Sequence, residues 1–154
     1  GAIEAGASGC ACPESVLLRS LLMDAVLYKD DCVILDMEAG LEHLGRATAQ
    51  GVDLMLAVVE PGWRAIETVV SVRRMARELG IRRFAVIGNK VTDDCDERFL
   101  RENLAVEDYL GWLPFDDAIR RADRENLPLV DIADARLLAI FRELWAQVKQ
   151  RVTN

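Results

Sequence analysis

Four short apolar runs, each followed by a stretch with helical character, limit the folds open to this chain more than any other feature. The runs occupy residues 32–36, 54–59, 84–87 and 109–113. Strands that alternate with helices form a mostly parallel, doubly wound sheet, because each connection crosses over a face of that sheet. The sequence therefore predicts an α/β fold whose sheet has helices on its faces.

The segments between the runs carry helix signals. Gly80 follows one long amphipathic stretch in the position where helices commonly end, and Asp116 is suited to cap another. Helices are predicted at residues 13–27, 41–50, 63–79, 98–104, 117–126 and 131–152. A chain of 154 residues has the length of one domain. We therefore expect a single α/β domain over residues 1–154.

Polar residues follow each of the four runs. Asp36, Glu60, Asn89 and the residues 114–116 stand at these points. Parallel sheets bind ligands beyond the carboxyl ends of their strands, so these residues are predicted to share one functional edge. Asp36, at the end of an expected buried strand, has two interpretations. It either reaches Mg²⁺ in a nucleotide site, or it ends the strand and caps the next helix.

Charge and hydropathy exclude some classes of partner. The formal net charge is −7, and no basic cluster is visible in the sequence, which argues against nucleic acid as a partner. No apolar run approaches the roughly 20 residues that span a bilayer, and no signal peptide is visible. These features predict a cytoplasmic protein without a membrane partner.

The four cysteines are unevenly spaced, which favours metal or redox roles over disulfides in a cytoplasmic chain. Cys10 and Cys12 directly precede the helix that is predicted to begin at Pro13. A helix N-terminus lowers thiol pKa values, so these two are candidate metal ligands, with a pair of ordinary reduced thiols as the alternative. Cys32 is expected to be a small buried hydrophobe, and Cys95 an incidental residue of an acidic loop.

The motifs together resemble a known family. The relevant segments are Gly9-Cys-Ala-Cys-Pro-Glu14, Ile34-Leu-Asp-Met-Glu-Ala-Gly-Leu-Glu-His-Leu-Gly-Arg46, Val58-Val-Glu-Pro61 and Ile87-Gly-Asn-Lys90. With them, the chain resembles the C-terminal two-thirds of a deviant P-loop ATPase of the MinD/ParA class. More narrowly, it is similar to the CooC-type nickel-insertion accessory ATPases of carbon monoxide dehydrogenase. The resemblance covers nearly the whole chain.

The resemblance implies a site for ATP or ADP with Mg²⁺. Asp36 would be the Walker B residue, the catalytic aspartate of the site. The adenine end of the nucleotide would be held by Asn89 and by the loop formed by Leu113, Pro114, Phe115 and Asp116. Glu60 either contacts the ribose or a dimer partner, or belongs to a plain turn between strand and helix.

The resemblance also implies a metal site and a client enzyme. Two thiolates cannot complete a tetrahedral site, but Cys10 and Cys12 of two protomers supply four ligands across a homodimer. The metal would be Ni²⁺ by resemblance, although Zn²⁺ suits these ligands at least as well. The client would be carbon monoxide dehydrogenase.

One expected motif is missing. The sequence contains no phosphate-binding loop of the type G-x-x-x-x-G-K-[ST]. We therefore expect that this chain does not hydrolyse ATP alone, and that a gap separates strands which would flank the missing one. It is either a piece of a longer protein or a degenerate relative. A regulatory or positioning ATPase without a metal and a nucleotide-free binding module remain the alternative functions.

Overall fold

The structure is a computed structural model that describes residues 32–36 and 52–153. Within these ranges the chain forms a three-stranded sheet in the order β1-β2-β3, and both neighbouring pairs are parallel. The strands are β1 (Met55–Val59), β2 (Phe84–Val91) and β3 (Tyr109–Pro114). The predicted α/β class with a parallel sheet is confirmed, and the arrangement is consistent with a P-loop NTPase-type fold.

Five helices connect and follow the strands in the described part of the chain. They are α1 (Trp63–Glu78), α2 (Asp94–Asn103), α3 (Asp117–Glu125), α4 (Leu129–Ile132) and α5 (Ala135–Thr153). None of these helices combines the length and the apolarity needed to cross a membrane.

Helices cover both faces of the sheet because successive side chains of a strand point to opposite sides. Phe84 and Val86 of β2 face a core that includes buried residues of α1 and α2. Ala85 and Ile87 face the opposite way and pack with Leu144 of α5. All four β2 residues are buried, as expected for the central strand of a sheet that is covered on both faces.

The end of α1 has the geometry that the sequence predicts. Gly80 has a φ of 84°, in the left-handed region that glycine adopts without steric cost. The Gly80 N–H donates to the Arg77 carbonyl at 3.0 Å, and the Ile81 N–H donates to the Ala76 carbonyl at 2.9 Å. These two bonds form a Schellman motif, which reverses the chain and leads it into β2.

Strand β2 runs further than the predicted 84–87. It passes through Gly88 and ends at Val91, with a register irregularity between these residues. A Cβ at Gly88 would lie 2.5 Å from Leu100 Cδ1 and 3.0 Å from Trp112 Cβ. Gly88 therefore allows α2 and β3 to approach the strand closely, and it does not end the strand.

Two helices begin at residues other than those predicted. Helix α2 starts at Asp94, before the predicted residue 98, because the Asp93 carboxylate accepts hydrogen bonds from the N–H groups of Cys95 and Asp96. The predicted helix over 131–152 is divided into α4 and α5. Asp134 accepts a hydrogen bond from the Leu137 N–H at 2.7 Å, which fixes the start of α5.

The predicted buried strand at residues 32–36 is not observed. These residues have no regular secondary structure, and Ile34 is 76% exposed. Cys32 is also exposed, contrary to its expected role as a small buried hydrophobe. An apolar strand is stable only where neighbouring strands and covering helices bury it. The sheet of the described residues ends at β1 and offers this segment no paired strand.

Candidate functional site

The carboxyl ends of the three strands lie at one edge of the sheet because the strands are parallel. Glu60 follows β1, Asn89 and Lys90 lie close to the end of β2, and Asp116 comes two residues after β3. The pairing of Val91 with Pro114 keeps the ends of β2 and β3 together. The structure thus places Glu60, Asn89 and Asp116 along a common edge.

An ion pair joins the ends of β1 and β2. Lys90 Nζ lies 2.5 Å from Glu60 Oε1, and both side chains are more than half exposed. Lys90 has a φ of 56°, and its backbone N–H donates to Asn89 Oδ1 at 3.0 Å. The amide oxygen of Asn89 is therefore engaged locally, while its NH₂ group has no hydrogen-bond partner among residues 32–36 and 52–153.

The loop after β3 offers an aromatic ring at the same edge. The Phe115 N–H donates to the Val91 carbonyl at 2.9 Å, which fixes the loop on β2. The ring of Phe115 is 47% exposed, and the Arg120 guanidinium lies 5.5 Å from its centroid. Leu113 packs into the core beneath α5, so the loop has a firm base.

Asp116 has a structural role of its own. Its carboxylate accepts a hydrogen bond from the Ala118 N–H at 2.8 Å and caps the N-terminus of α3. The predicted capping role of Asp116 is confirmed. A carboxylate accepts several hydrogen bonds, so the capping bond does not prevent Asp116 from also contacting a ligand.

A polar turn after β2 was not identified as part of the site from the sequence. The Thr92 hydroxyl and N–H donate to Asp96 Oδ2 at 2.5 and 2.9 Å. These hydrogen bonds, the side-chain bond first, hold the pKa of Asp96 below its ordinary value. The sequence does carry a signal for this turn, because Thr92 and Asp93 are residue types that commonly precede the first turn of a helix. The turn fixes how the chain leaves the functional edge.

The remaining predicted site residues lie elsewhere. Asp36 is exposed and makes no hydrogen bond or ion pair within the residues that the structure describes. Cys10 and Cys12, the predicted metal ligands, lie outside the described residues. Across 32–36 and 52–153, no three His, Cys, Asp or Glu side chains are grouped in a way that could hold a metal ion.

Comparisons with known proteins bear on the class of this site. The chain is 41% identical over 135 residues to the carbon monoxide dehydrogenase accessory protein CooC of Rhodospirillum rubrum, a match that covers 88% of this chain and 51% of that protein. It is 43% identical over 132 residues to an uncharacterized ATP-binding protein of Methanocaldococcus jannaschii, covering 84% and 51% of the two chains. A second such protein of that organism is 30% identical over 138 residues, covering 87% and 55%. No protein-family model matches the chain.

A parallel sheet with helices on both faces and a polar carboxyl edge defines an α/β protein, and the arrangement is consistent with a P-loop NTPase-type fold. Over the matched residues the chain is similar to CooC, so the resemblance predicted from its motifs is confirmed. The chain spans about half the length of the curated relatives that it matches.

Proposed function

We propose that the chain forms the base-recognition and metal-binding part of a CooC-type accessory ATPase. The whole protein would use ATP to insert nickel into carbon monoxide dehydrogenase. The observation that carries this proposal is the 41% identity to CooC across 88% of the chain. A match of this extent includes the strands whose ends carry Asn89 and the loop after β3. The accessory function and the client enzyme are inferred from that relative.

The residues at the carboxyl edge fit the base of a nucleotide. Asn89 has amide hydrogens to donate, and Asp116 has a second carboxylate oxygen to accept hydrogen bonds. The half-exposed ring of Phe115 offers a surface on which a purine can stack. Leu113 and Pro114 form the apolar base of the same loop. When bound, Mg²⁺-ATP would supply the free energy of phosphate hydrolysis for the conformational cycle of the protein.

The phosphate end of the site is assigned to Asp36. Its exposed carboxylate is the kind of oxygen ligand that Mg²⁺ prefers, directly or through water. Since the sequence contains no G-x-x-x-x-G-K-[ST] loop, we assign ATP hydrolysis to the whole protein, and base recognition and the Mg²⁺ contact of Asp36 to this chain.

Nickel would be the cargo of the protein. In this proposal, Cys10 and Cys12 of one protomer and the same pair of its partner bind one metal ion between them. Four thiolates also suit Zn²⁺, so selectivity for nickel would depend on geometry and metal supply in the cell. Closure of the homodimer with ATP would assemble this site, and its opening would release the metal to carbon monoxide dehydrogenase.

Base recognition can be tested with Asn89→Ala. Adenosine and ADP would be titrated into the chain and followed by ligand-observed NMR, which detects weak binding. We expect the variant to bind both ligands about tenfold more weakly, the loss of roughly one hydrogen bond. The matched control is Asn103→Ala, whose side chain bonds only to the Phe99 carbonyl within the described residues. Equal binding by the wild-type chain and Asn89→Ala would contradict the assignment.

A regulatory or positioning ATPase is the second candidate function. Two ATP-binding relatives of Methanocaldococcus jannaschii are 43% and 30% identical to the chain, against 41% for CooC, and ATP binding is the one property in their names. In that case the cysteines would have no metal role, and the output would be contact with a partner protein. Nucleotide-dependent dimerisation that is retained after loss of both thiols would favour this function.

A further inference from the structure

A cavity lies at the opposite edge of the sheet, where β2 and β3 begin. It has a volume of about 590 Å³, and residues of α1, of the link between α1 and β2, and of α5 line it. Because β2 has eight residues, it spans about 25 Å between the two edges. The cavity is therefore separate from the edge that carries Asn89 and Asp116.

Arginine dominates this cavity. Five guanidinium groups line it, and they come from three separate parts of the sequence: Arg73, Arg77, Arg82, Arg83 and Arg151. No basic cluster is visible in the linear sequence, but the fold assembles one here. Only the Schellman turn after α1 and the return of α5 across the sheet bring these residues together. The cluster is notable in a chain whose net charge is −7.

The carboxylates in this region balance only part of the positive charge. Arg73 Nε lies 3.0 Å from Asp108 Oδ2, and another nitrogen of Arg73 lies 3.2 Å from Glu107 Oε1. Arg151 donates to the Glu107 carbonyl. Asp108 is 6% exposed, and burial raises its pKa although Arg73 acts in the opposite direction. Both acidic side chains are thus oriented towards Arg73.

Three other arginines of the cavity are not paired with a carboxylate in the described part of the chain. Within the described part of the chain, Arg77, Arg82 and Arg83 take part in no salt bridge, although each lines the cavity. Guanidinium groups bind phosphate through paired hydrogen bonds and stay charged at any physiological pH. Three such groups around one cavity match a ligand that carries several negative charges.

The walls of the cavity also suit an organic ligand. Ile81, Phe84 and Leu110 contribute an apolar surface beside the arginines. The volume lies in the range of roughly 300 to 1,000 Å³ that small-molecule sites occupy. We propose that this cavity binds a small molecule bearing two or more phosphate groups, at a site separate from the proposed nucleotide edge.

The alternative is that these arginines stabilise the fold and bind no ligand. Arg77 lies in the last turn of α1, where a cation stabilises the negative end of the helix dipole. An acidic segment of a partner protein is a further possible occupant, but the apolar wall beside the arginines favours a small organic ligand. Titration with polyanions of different kinds separates these three interpretations.

The test is calorimetric titration of the chain with tripolyphosphate and with inorganic phosphate at fixed low salt. The test variant combines Arg77→Gln with Arg82→Gln, since neither residue forms a salt bridge in the described part. The control combines Arg74→Gln with Arg98→Gln, two exposed arginines that do not line the cavity. Both variants lose the same net charge.

We expect saturable binding of tripolyphosphate, stronger than that of inorganic phosphate. Its affinity should fall at least tenfold in the test variant and less than threefold in the control. A loss confined to the test variant locates the binding at this cavity and not at the nucleotide edge, since Arg77 and Arg82 line only the cavity. The proposal would be overturned by an absence of saturable binding, by an equal loss in both arginine variants, or by binding of a polyglutamate peptide in place of tripolyphosphate.

Discussion

Lys90 Nζ lies 2.5 Å from Glu60 Oε1 and so connects the carboxyl ends of β1 and β2. The pair is exposed and should add little to stability, since exposed ion pairs are worth about 0 to 1 kcal/mol. The pair matters instead because it holds the end of β2, and with it Asn89, next to the end of β1. Lys90 is held in a left-handed conformation next to Asn89, the residue to which we assign base recognition.

The backbone at Lys90 can be tested by two substitutions. Glycine adopts a φ of 56° readily, whereas a β-branched residue does so at a cost of about 1 to 2 kcal/mol. We therefore expect Lys90→Val to lower the free energy of unfolding by about that amount, and Lys90→Gly to change it by less than about 0.5 kcal/mol. Urea denaturation measures both. Equal stabilities would contradict the left-handed conformation.

Gly88 is predicted to tolerate no side chain. A Cβ there would meet Leu100, which is fully buried, and the Cβ of Trp112. We expect Gly88→Ser to lower the free energy of unfolding by about 2 to 3 kcal/mol through overpacking. The control is Gly62→Ser, because a Cβ at Gly62 meets nothing within 4 Å and serine is a favoured N-cap. A similar loss in both variants would exclude overpacking as the cause.

The strands and the long helices could be predicted from the sequence because apolar periodicity records burial directly. The limits of α1 were predictable since Gly80 marks its end. The extent of β2 was not, because the reason that it continues through Gly88 is the approach of α2 and β3. The segment 32–36 shows the opposite error: its composition is that of a buried strand, but pairing partners decide whether such a strand forms.

Tyr109 gives a prediction at alkaline pH. Burial raises the pKa of Tyr109 to about 12, and its hydroxyl has no hydrogen-bond partner within the described residues. An unfolded tyrosine ionises near pH 10, so the unfolded state loses this proton first. The stability due to Tyr109 is therefore complete below about pH 10 and is lost as the pH rises from about 10 to about 12.

The variant that tests this account is Tyr109→Phe. At neutral pH we expect its free energy of unfolding to match that of the wild-type chain or to exceed it by up to about 1 kcal/mol, because an unpaired buried hydroxyl is removed. Between pH 9 and 11 we expect its stability to fall less steeply. Denaturant unfolding over this pH range provides the measurement, and parallel declines for the two proteins would refute the assignment.

Phe115 should contribute to nucleotide binding through its ring. The side chain is 47% exposed, so Phe115→Ala should cost little stability. We expect it to weaken adenosine binding about tenfold, within the roughly 1 to 3 kcal/mol found for stacking of a base on an aromatic ring. Phe115→Tyr keeps the ring and should retain affinity within about twofold. If Phe115→Ala binds adenosine as well as the wild-type chain does, the ring is not part of the site.

Some residues of the candidate site could be predicted from the sequence, and others could not. Asn89 and the loop 113–116 follow apolar runs, and parallel pairing brings them to one edge as expected. The pairing of Glu60 with Lys90 was not predictable, because it depends on the left-handed turn of β2. The arginine cavity was missed for a similar reason, since its charges lie far apart in the sequence.

The proposed metal-delivery function requires that this chain contribute thiolates to a metal site shared by two protomers. The most direct measurement is the Ni²⁺ and Zn²⁺ stoichiometry per protomer, together with molar mass by light scattering, for the wild-type chain and for Cys12→Ser. We predict about one metal ion per two protomers, with metal and dimer lost together in Cys12→Ser. A folded wild-type chain that binds neither metal tightly would contradict the metal-delivery function and leave the regulatory ATPase as the better account.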